Sequence, residues 1–387
     1  MILIFTNRQV INLLMAILGC IIIFRRKIMK RKLLSMLLVT ALGVSLTACG
    51  GKATEKQAQK APEANIENAE QVSSSDPAVE LIFSNITTDA GENAGNLFCE
   101  LANKYSGGSI TIKHFPDNVL GDDKTVIEQT QIGDIDIAVS STSPLVNVYP
   151  DYYVFDAPYL FLNREHARAA LTSEAGKAIR EGIKEAGTGL IGLAWWENGF
   201  RDITNNKIPV KIPQDIKGMK IRTMENDVHL AAFKALGANP TPMAFSELFT
   251  AMQQGTVDGQ ENPLAIIVGN KFYEVQKYVS QTEHIYVPFC VVMNEKKFNS
   301  LTENQQNAIL KAMEEATQFQ LKNNAELDEE ALNVIKDGGS EIVELTNGEK
   351  AQWQEVMTEA DIFTMVKDKM EHPEYLDQML ALGDEYK

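Results

Sequence analysis

From Ala78 onward, short apolar runs of β character alternate with stretches of helical spacing, and this alternation limits the fold more than any other feature of the chain. Val79–Phe83 is β-rich, Asn93–Tyr105 has helical spacing closed by Gly107-Gly108, and Ile110–Phe115 alternates like a strand. Asp122–Gln131 reads as a helix stopped by Gly133, Ile135–Val139 as a buried strand, Arg164–Ala186 as one helix and Leu190–Trp195 as a strand. Strands interleaved with helices predict α/β layers with parallel pairing. Farther on, Ile208–Val210, Lys220–Arg222 and Val287–Asn294 read as strands, and Asp227–Leu236 and Ser246–Gln254 as helices. Beyond Asn299 the chain is nearly all helical. Ser300-Leu301-Thr302-Glu303 fits a capping box with Ser300 as N-cap, opening a long acidic helix to about Ile335, and a second helix is expected from Lys350 to Met370.

Two apolar stretches precede this body. Ile11–Phe24 is followed by Arg25-Arg26-Lys27, and Met29-Lys30-Arg31-Lys32 then opens a better-formed pattern: a basic start, an apolar run Leu33–Leu46 and small residues. That is the layout of a secretory signal peptide, with Met29 as the expected start and 1–28 as an upstream extension. Leu46-Thr47-Ala48-Cys49-Gly50 looks like the lipobox of bacterial lipoproteins, which predicts cleavage before Cys49 and its acylation. Both runs are shorter than the ~20 residues of a membrane span, which argues against a hairpin of two helices. Gly50–Asp76 holds Lys, Glu, Gln, Ala and Ser and no aromatic residue, so it cannot bury enough apolar surface to fold. Residues 49–77 are therefore expected to form a flexible tether of roughly 30 Å r.m.s..

Charge sets limits on partners. The formal charge is −16, but the seven bases of the first 48 residues face no acid. Without them the body carries 29 bases and 52 acids, a charge of −23. A body this acidic lacks the basic face a nucleic-acid binder needs, and charge alone would not hold it on anionic lipid. Beyond Cys49, only Cys99 and Cys290 are left, each with apolar neighbours; they read as buried thiols more readily than as a disulfide.

Several familiar chemistries are missing from the sequence. Gly187-Thr188-Gly189-Leu190-Ile191-Gly192 spells G-x-G-x-x-G, but it follows a helix and precedes a strand, the reverse of a dinucleotide loop. It reads as a helix end turning into a strand. The five histidines (His114, His166, His229, His284, His372) show no metal-ligand spacing. No cofactor or metal is expected, and no nucleophile motif points to an enzyme.

Two stretches stand apart. One is Trp195-Trp196-Glu197-Asn198-Gly199-Phe200-Arg201; the other runs from Lys220-Ile221-Arg222 through Pro242-Met243-Ala244-Phe245 to Gln260-Glu261-Asn262-Pro263. Each places an arginine beside an apolar, strand-like segment, and ligands of open α/β sheets sit at strand ends. Arginine's planar fork matches a carboxylate. Asn262 lies in a turn that can hold its amide rigidly, and Phe245 can supply an apolar wall. The alternative is that Arg201 and Arg222 are ion-paired structural arginines. Trp195, Trp196, Glu197 and Asn198 lie beside Arg201, and an aromatic face with polar neighbours would suit a sugar ring, or the tryptophans pack at a hinge.

The segment from Pro240 to Pro263, PTPMAFSELFTAMQQGTVDGQENP, closely resembles the substrate-binding proteins of tripartite ATP-independent periplasmic (TRAP) transporters, typified by the C4-dicarboxylate-binding component. Leu120-Gly121, Val126-Ile127-Glu128-Gln129, Phe155 to Phe161 and Lys271 to Lys277 extend the likeness over roughly Ala78 to Lys367. The resemblance implies an α/β, two-lobed periplasmic-binding-protein fold with hinge strands and a long lobe-spanning helix. It divides the body into lobe I (78–198 and 288–327) and lobe II (199–287 and 328–387). It implies that Arg222 anchors a ligand carboxylate, that Arg201 assists, that Asn262 hydrogen-bonds the same group and that Phe245 lines the pocket. Ser141 stands where sialate-binding members carry a carboxylate, which speaks against sialate. Asn85 and Asp123 match pocket positions under an alignment loose by a residue. The function so implied is capture of a small organic-acid anion, a sugar acid such as a hexuronate or a C4-dicarboxylate, by lobe closure. Delivery would be to TRAP permease subunits, from a monomer anchored through Cys49 on the outer side of the cell membrane. The rival readings are a ligand-presenting sensor module, a secreted sugar-acid lyase or hydrolase, and a binding protein of the ATP-driven class.

Overall fold

The computed structural model describes residues 75–86 and 89–387. The expected start at Met29, the signal peptide, the acylated Cys49 and nearly all of the tether lie outside the described residues. Among the described residues no helix is long and apolar enough to cross a membrane.

The strands are β1 (Val79–Asn85), β2 (Ile110–Phe115), β3 (Ile137–Ser141), β4 (Leu190–Trp196), β5 (Phe200–Asn205), β6 (Lys220–Thr223), β7 (Asn239–Pro242), β8 (Gly259–Pro263), β9 (Tyr278–Tyr286), β10 (Phe289–Asn294) and β11 (Glu341–Glu344). They form two sheets, ordered β2-β1-β3-β10-β4 and β11-β9-β5-β8-β6-β7. Parallel pairing, as expected, joins β1 to β2 and β3, β6 to β7 and β8, and β9 to β11. The pairs that involve β10 and the β5–β8 and β5–β9 pairs are antiparallel. The chain explains why. It passes from the first sheet to the second through Glu197-Asn198-Gly199 and returns through Val287-Pro288, with no crossover helix to reverse a strand's direction. Gly199 takes φ 121° at the first crossing, a conformation that favours glycine.

The helix Glu303–Asp337 has 35 residues, about 50 Å at 1.5 Å per residue. It packs on the helix Ala90–Tyr105 and β4 beside the first sheet, then on the helix Leu264–Gly269 and β11 beside the second. Its N-cap is Thr302, whose Oγ1 accepts from Gln305 N while the Gln305 side chain reaches back. The expected cap, Ser300, instead closes the short helix Glu295–Asn299.

Other expectations shift for local reasons. Ser173 ends the helix Arg164–Thr172 and caps Glu174–Glu185, its Oγ accepting from Gly176 N at 3.2 Å, so the expected single helix is two. The last long helical stretch breaks at Asp361, with φ 54°, into Asn347–Glu359 and Ile362–Lys367. Ile208–Val210 is not a strand: the Asn205 side chain accepts from Lys207 N and Ile208 N and holds the backbone in a turn. Gly187 and Gly189, both with positive φ, make the helix-to-strand turn expected of that glycine run. Cys99 and Cys290 are free thiols, half-buried and buried. The helix Glu374–Leu382 packs on Arg164–Thr172 and Glu174–Glu185, which flank the first sheet, with His166 Nε2 2.8 Å from Met379 O. The C-terminal helix therefore packs beside the first sheet.

Candidate functional site

Short strands put the candidate residues where the two sheets face each other. Ile221 is fully buried and seats β6 between β7 and β8. The next residue, Arg222, is only 2 % exposed. Its Nε and Nη2 donate to Met243 O at 3.0 and 2.7 Å, and its Cζ lies 5.9 Å from the Phe245 ring centroid. That carbonyl and the ring fix the guanidinium plane and leave Nη1 without a hydrogen bond among the described residues. Burial, with Arg201 acting in the same direction, lowers the Arg222 pKa to about 10 against the pull of Glu261 and Asp123, so it remains a cation at neutral pH.

Arg201 is held differently. On β5 it stands opposite Pro263, and Asp202 opposite Asn262. Its Nε pairs with Glu261 Oε2; its Nη2 donates to Glu261 Oε1 at 2.9 Å, to Glu261 O at 2.6 Å and to Asn262 Oδ1 at 3.0 Å. Burial alone would raise the Glu261 pKa, but Arg201 and His284 hold it well below the usual carboxylate range. Glu261 is thus ionised, and the Arg201 charge is matched inside the protein, as the structural alternative for that residue foresaw. Asn262 donates through Nδ2 to Gln260 Oε1 at 2.5 Å, which orients its Oδ1 toward Arg201.

The opposite wall comes from the first sheet. Ser141 ends β3 opposite Phe289 of β10. Asp123 opens the helix Asp123–Ile132, and its Oδ1 accepts from Ser141 N at 2.8 Å and Ser140 Oγ at 2.9 Å. Burial raises its pKa against these bonds and Arg222.

Between the walls lie two adjoining spaces. The outer, of about 470 Å³, is lined by Asp122, Asp123, Lys124, Glu128, Asn147, Arg222, Glu225, Met243 and Phe245 among others. The inner, of about 30 Å³, is lined by Asp123, Ser141, Asn198, Arg201, Arg222, Phe245, Asn262 and Phe289 with Ile86, Met224 and Ile266. Six of the residues singled out from sequence therefore come together: Arg222, Arg201, Asn262, Phe245, Ser141 and Asp123.

Three do not line either space. Asn85 is buried at the end of β1 with Nδ2 donating to Gly91 O at 2.8 Å; its neighbour Ile86 lines the inner space instead. Trp196 is fully buried, its edge toward Phe83 and its Nε1 donating to Thr317 Oγ1 at 3.0 Å on the long helix. Trp195 donates to Gly176 O. Both tryptophans pack at the crossing, and a sugar ring has no access to them. Glu197 takes Arg164 Nε at 3.1 Å, Arg168 Nε at 2.7 Å and Asn324 Nδ2 at 3.1 Å, while Gln320 clasps its backbone N–H and C=O at 2.8 Å each. It fastens the crossing to the long helix.

Sequence reading missed Glu261, Lys124, Glu128 and Glu225; Asn198, expected beside Arg201, does line the inner space. Glu261 was within reach, since it sits inside the Gln260-Glu261-Asn262-Pro263 motif, but reading that stretch as a turn hid the β8 strand that pairs it with Arg201.

The family described as bacterial extracellular solute-binding protein, family 7, matches residues 85–363. The 2,3-diketo-L-gulonate-binding periplasmic protein YiaO of Escherichia coli is 38 % identical over 256 residues, covering 66 % of this chain and 77 % of that one. The C4-dicarboxylate-binding protein DctB of Bacillus subtilis is 36 % identical over 261 residues, covering 67 % and 74 %. The crystal structure of the sugar acid binding protein of Advenella mimigardefordensis in complex with galactonate superposes with a TM-score of 0.76 at 35 % identity, over 80 % of this chain and 99 % of that one. The chain belongs to the family 7 bacterial extracellular solute-binding proteins, the two-lobed solute-capturing components of TRAP transporters.

Proposed function

We propose that this protein captures a small organic-acid anion, with the ligand carboxylate seated on Arg222 in the inner space and the rest of the molecule in the outer one. The observation that carries this reading is the asymmetry between the arginines: Arg201 is matched by Glu261, whereas Arg222 contacts a carbonyl and a ring and pairs with no carboxylate among the described residues. Asn262 and the Arg201 edge supply neutral support around the same group. Hydrogen bonds to charged groups contribute about 1.5–3 kcal/mol each. A few of them within a water-poor slot account for a micromolar affinity, ~8 kcal/mol. Relatives bearing names of both sugar-acid and C4-dicarboxylate binders support an organic acid as the solute class.

The walls belong to two lobes, one built on each sheet, that close on the solute about the crossings at 197–199 and 287–288. The loaded, monomeric protein then delivers its cargo to membrane permease subunits, without chemistry of its own and without a cofactor. A lipid on Cys49 tethers it at the outer face of the membrane. Isothermal titration against a panel of sugar acids and C4-dicarboxylates tests the reading. Wild type binds at least one member at micromolar or better concentration, and Arg222→Lys, which loses the planar fork, binds it at least 100-fold more weakly. Unchanged affinity in Arg222→Lys overturns the assignment.

A further inference from the structure

The inner space contains a polar side chain whose oxygen finds no partner among the described residues. Asn198, the middle residue of the crossing from β4 to β5, is 3 % exposed and lines the slot beside Arg201, Arg222, Asn262 and Ser141. Among the described residues its Oδ1 is buried with no hydrogen-bond partner. A side-chain amide presents one acceptor and two donors. A ligand carboxylate offers only acceptors, so it can serve the amide's N–H groups but never its oxygen. A hydroxyl both donates and accepts, and so serves either atom.

The rest of the chamber points the same way. Asp123 lines both spaces and engages Oδ1 with Ser140 and Ser141, leaving Oδ2 as an acceptor. Outward from Arg222, the wall carries Asp122, Asp123, Glu128 and Glu225 against a single further cation, Lys124. A second ligand carboxylate directed outward meets that acidic wall, whereas hydroxyl groups can donate to it.

Resting on Arg222 as the carboxylate anchor, we infer that Asn198 is a specificity-determining contact that reads a hydroxyl next to the ligand carboxylate, and that the solute is a polyhydroxylated monocarboxylate, not a dicarboxylate. Refusing the wrong ligand follows from the same geometry, because a site built around a hydroxyl leaves its own buried acceptor unpaired when the hydroxyl is missing.

The test is isothermal titration of the full chain with gluconate, galactonate, erythronate and succinate, followed by the 2-deoxy analogue of the tightest of the first three. The expected result is that at least one hydroxy acid binds 100-fold or more tighter than succinate and 10-fold or more tighter than its 2-deoxy analogue. In Asn198→Ala, the preference over the deoxy analogue falls to within 3-fold while the ligand-free melting curve is retained. Should Asn198→Ala fail to fold, Asp123→Asn, which keeps an oxygen for Ser140 and Ser141, narrows the hydroxy-acid preference over succinate at least 10-fold. Succinate binding as tightly as the hydroxy acids, or a preference for hydroxyl unchanged in the variants, overturns the inference. If that succinate binding is lost in Arg222→Lys, the carboxylate anchor stands and only the hydroxyl reading falls. If none of the four acids binds, both fall.

Discussion

Arg201 of β5 and Glu261 of β8 stand two residues out of register, yet their side chains, 1 % and 0 % exposed, are joined through Nε and Nη2. A pair this deep persists because each charge cancels the other. Glu261→Gln leaves the Arg201 cation unmatched in the interior. Breaking one side of a buried pair costs about 3–5 kcal/mol, so urea unfolding of ligand-free Glu261→Gln is expected to show a loss of that order. An apolar replacement of both, Arg201→Met with Glu261→Leu, is expected to lose less than the single change. A double variant as unstable as Glu261→Gln would show that packing, not the unmatched charge, is responsible.

Asp328 sits beside Glu197 at the crossing and pairs with Arg164 Nη2. Burial, joined by the Glu197 carboxylate and opposed by Arg164, pushes it up to about 6. Its native pKa thus lies above the ~3.9 of an unfolded aspartate. The native state binds this proton more tightly, so the contribution to stability is present below pH 4 and is lost as pH rises through 6. The full effect is on the order of 2–3 kcal/mol. Asp328→Asn should therefore be more stable than wild type at pH 8 by an amount that shrinks toward pH 4. A difference that does not vary with pH removes Asp328 as the source.

Gly199 holds φ 121° where the chain leaves the first sheet, and a Cβ there meets Pro263 Cβ at 3.4 Å. Gly199→Ala is expected to lose about 1–3 kcal/mol in thermal or urea unfolding, the cost of a strained backbone. Gly108 also has positive φ, but a Cβ there meets nothing within 4 Å, so Gly108→Ala serves as the unhindered control. A Gly199→Ala protein as stable as wild type would remove the strained backbone as a cost at that crossing.

Thr302 caps the 35-residue helix, and Ser300 does not. Thr302→Ala is expected to cost about 1 kcal/mol, and Ser300→Ala less than half of that. Equal losses would put the helix start where the sequence alone suggests it.

The capping pair shows why the fold was legible and some boundaries were not. Ser300-x-x-Glu303 and Thr302-x-x-Gln305 both spell a capping box, and only the short helix before them decides between the two. Asp227–Leu236 and Ser246–Gln254 were placed to within one residue because their apolar spacing is a local property. β7, with the sequence Asn-Pro-Thr-Pro, has no such signature; it exists as an edge strand because β6 lies beside it. In the site, Arg222, Phe245 and Asn262 were visible through the motif that holds them. The Arg201–Glu261 pairing arises from register between strands far apart in sequence, which local patterns do not encode. Trp196 and Glu197 were misplaced for the converse reason: sequence puts them beside Arg201, but the long helix claims their side chains.

The position of β10 sets the order in which the body can be completed. It seats between β3 and β4, yet it begins at Phe289, almost a hundred residues after β4 starts at Leu190. Until that strand is available, β3 and β4 lie one strand apart with unsatisfied edges, and the helix that finally covers this side, Glu374–Leu382, comes almost at the chain's end. Neither half can mature before the other is present. A chain made in linear order therefore stays open until nearly all of it is present, and only then closes into its native form.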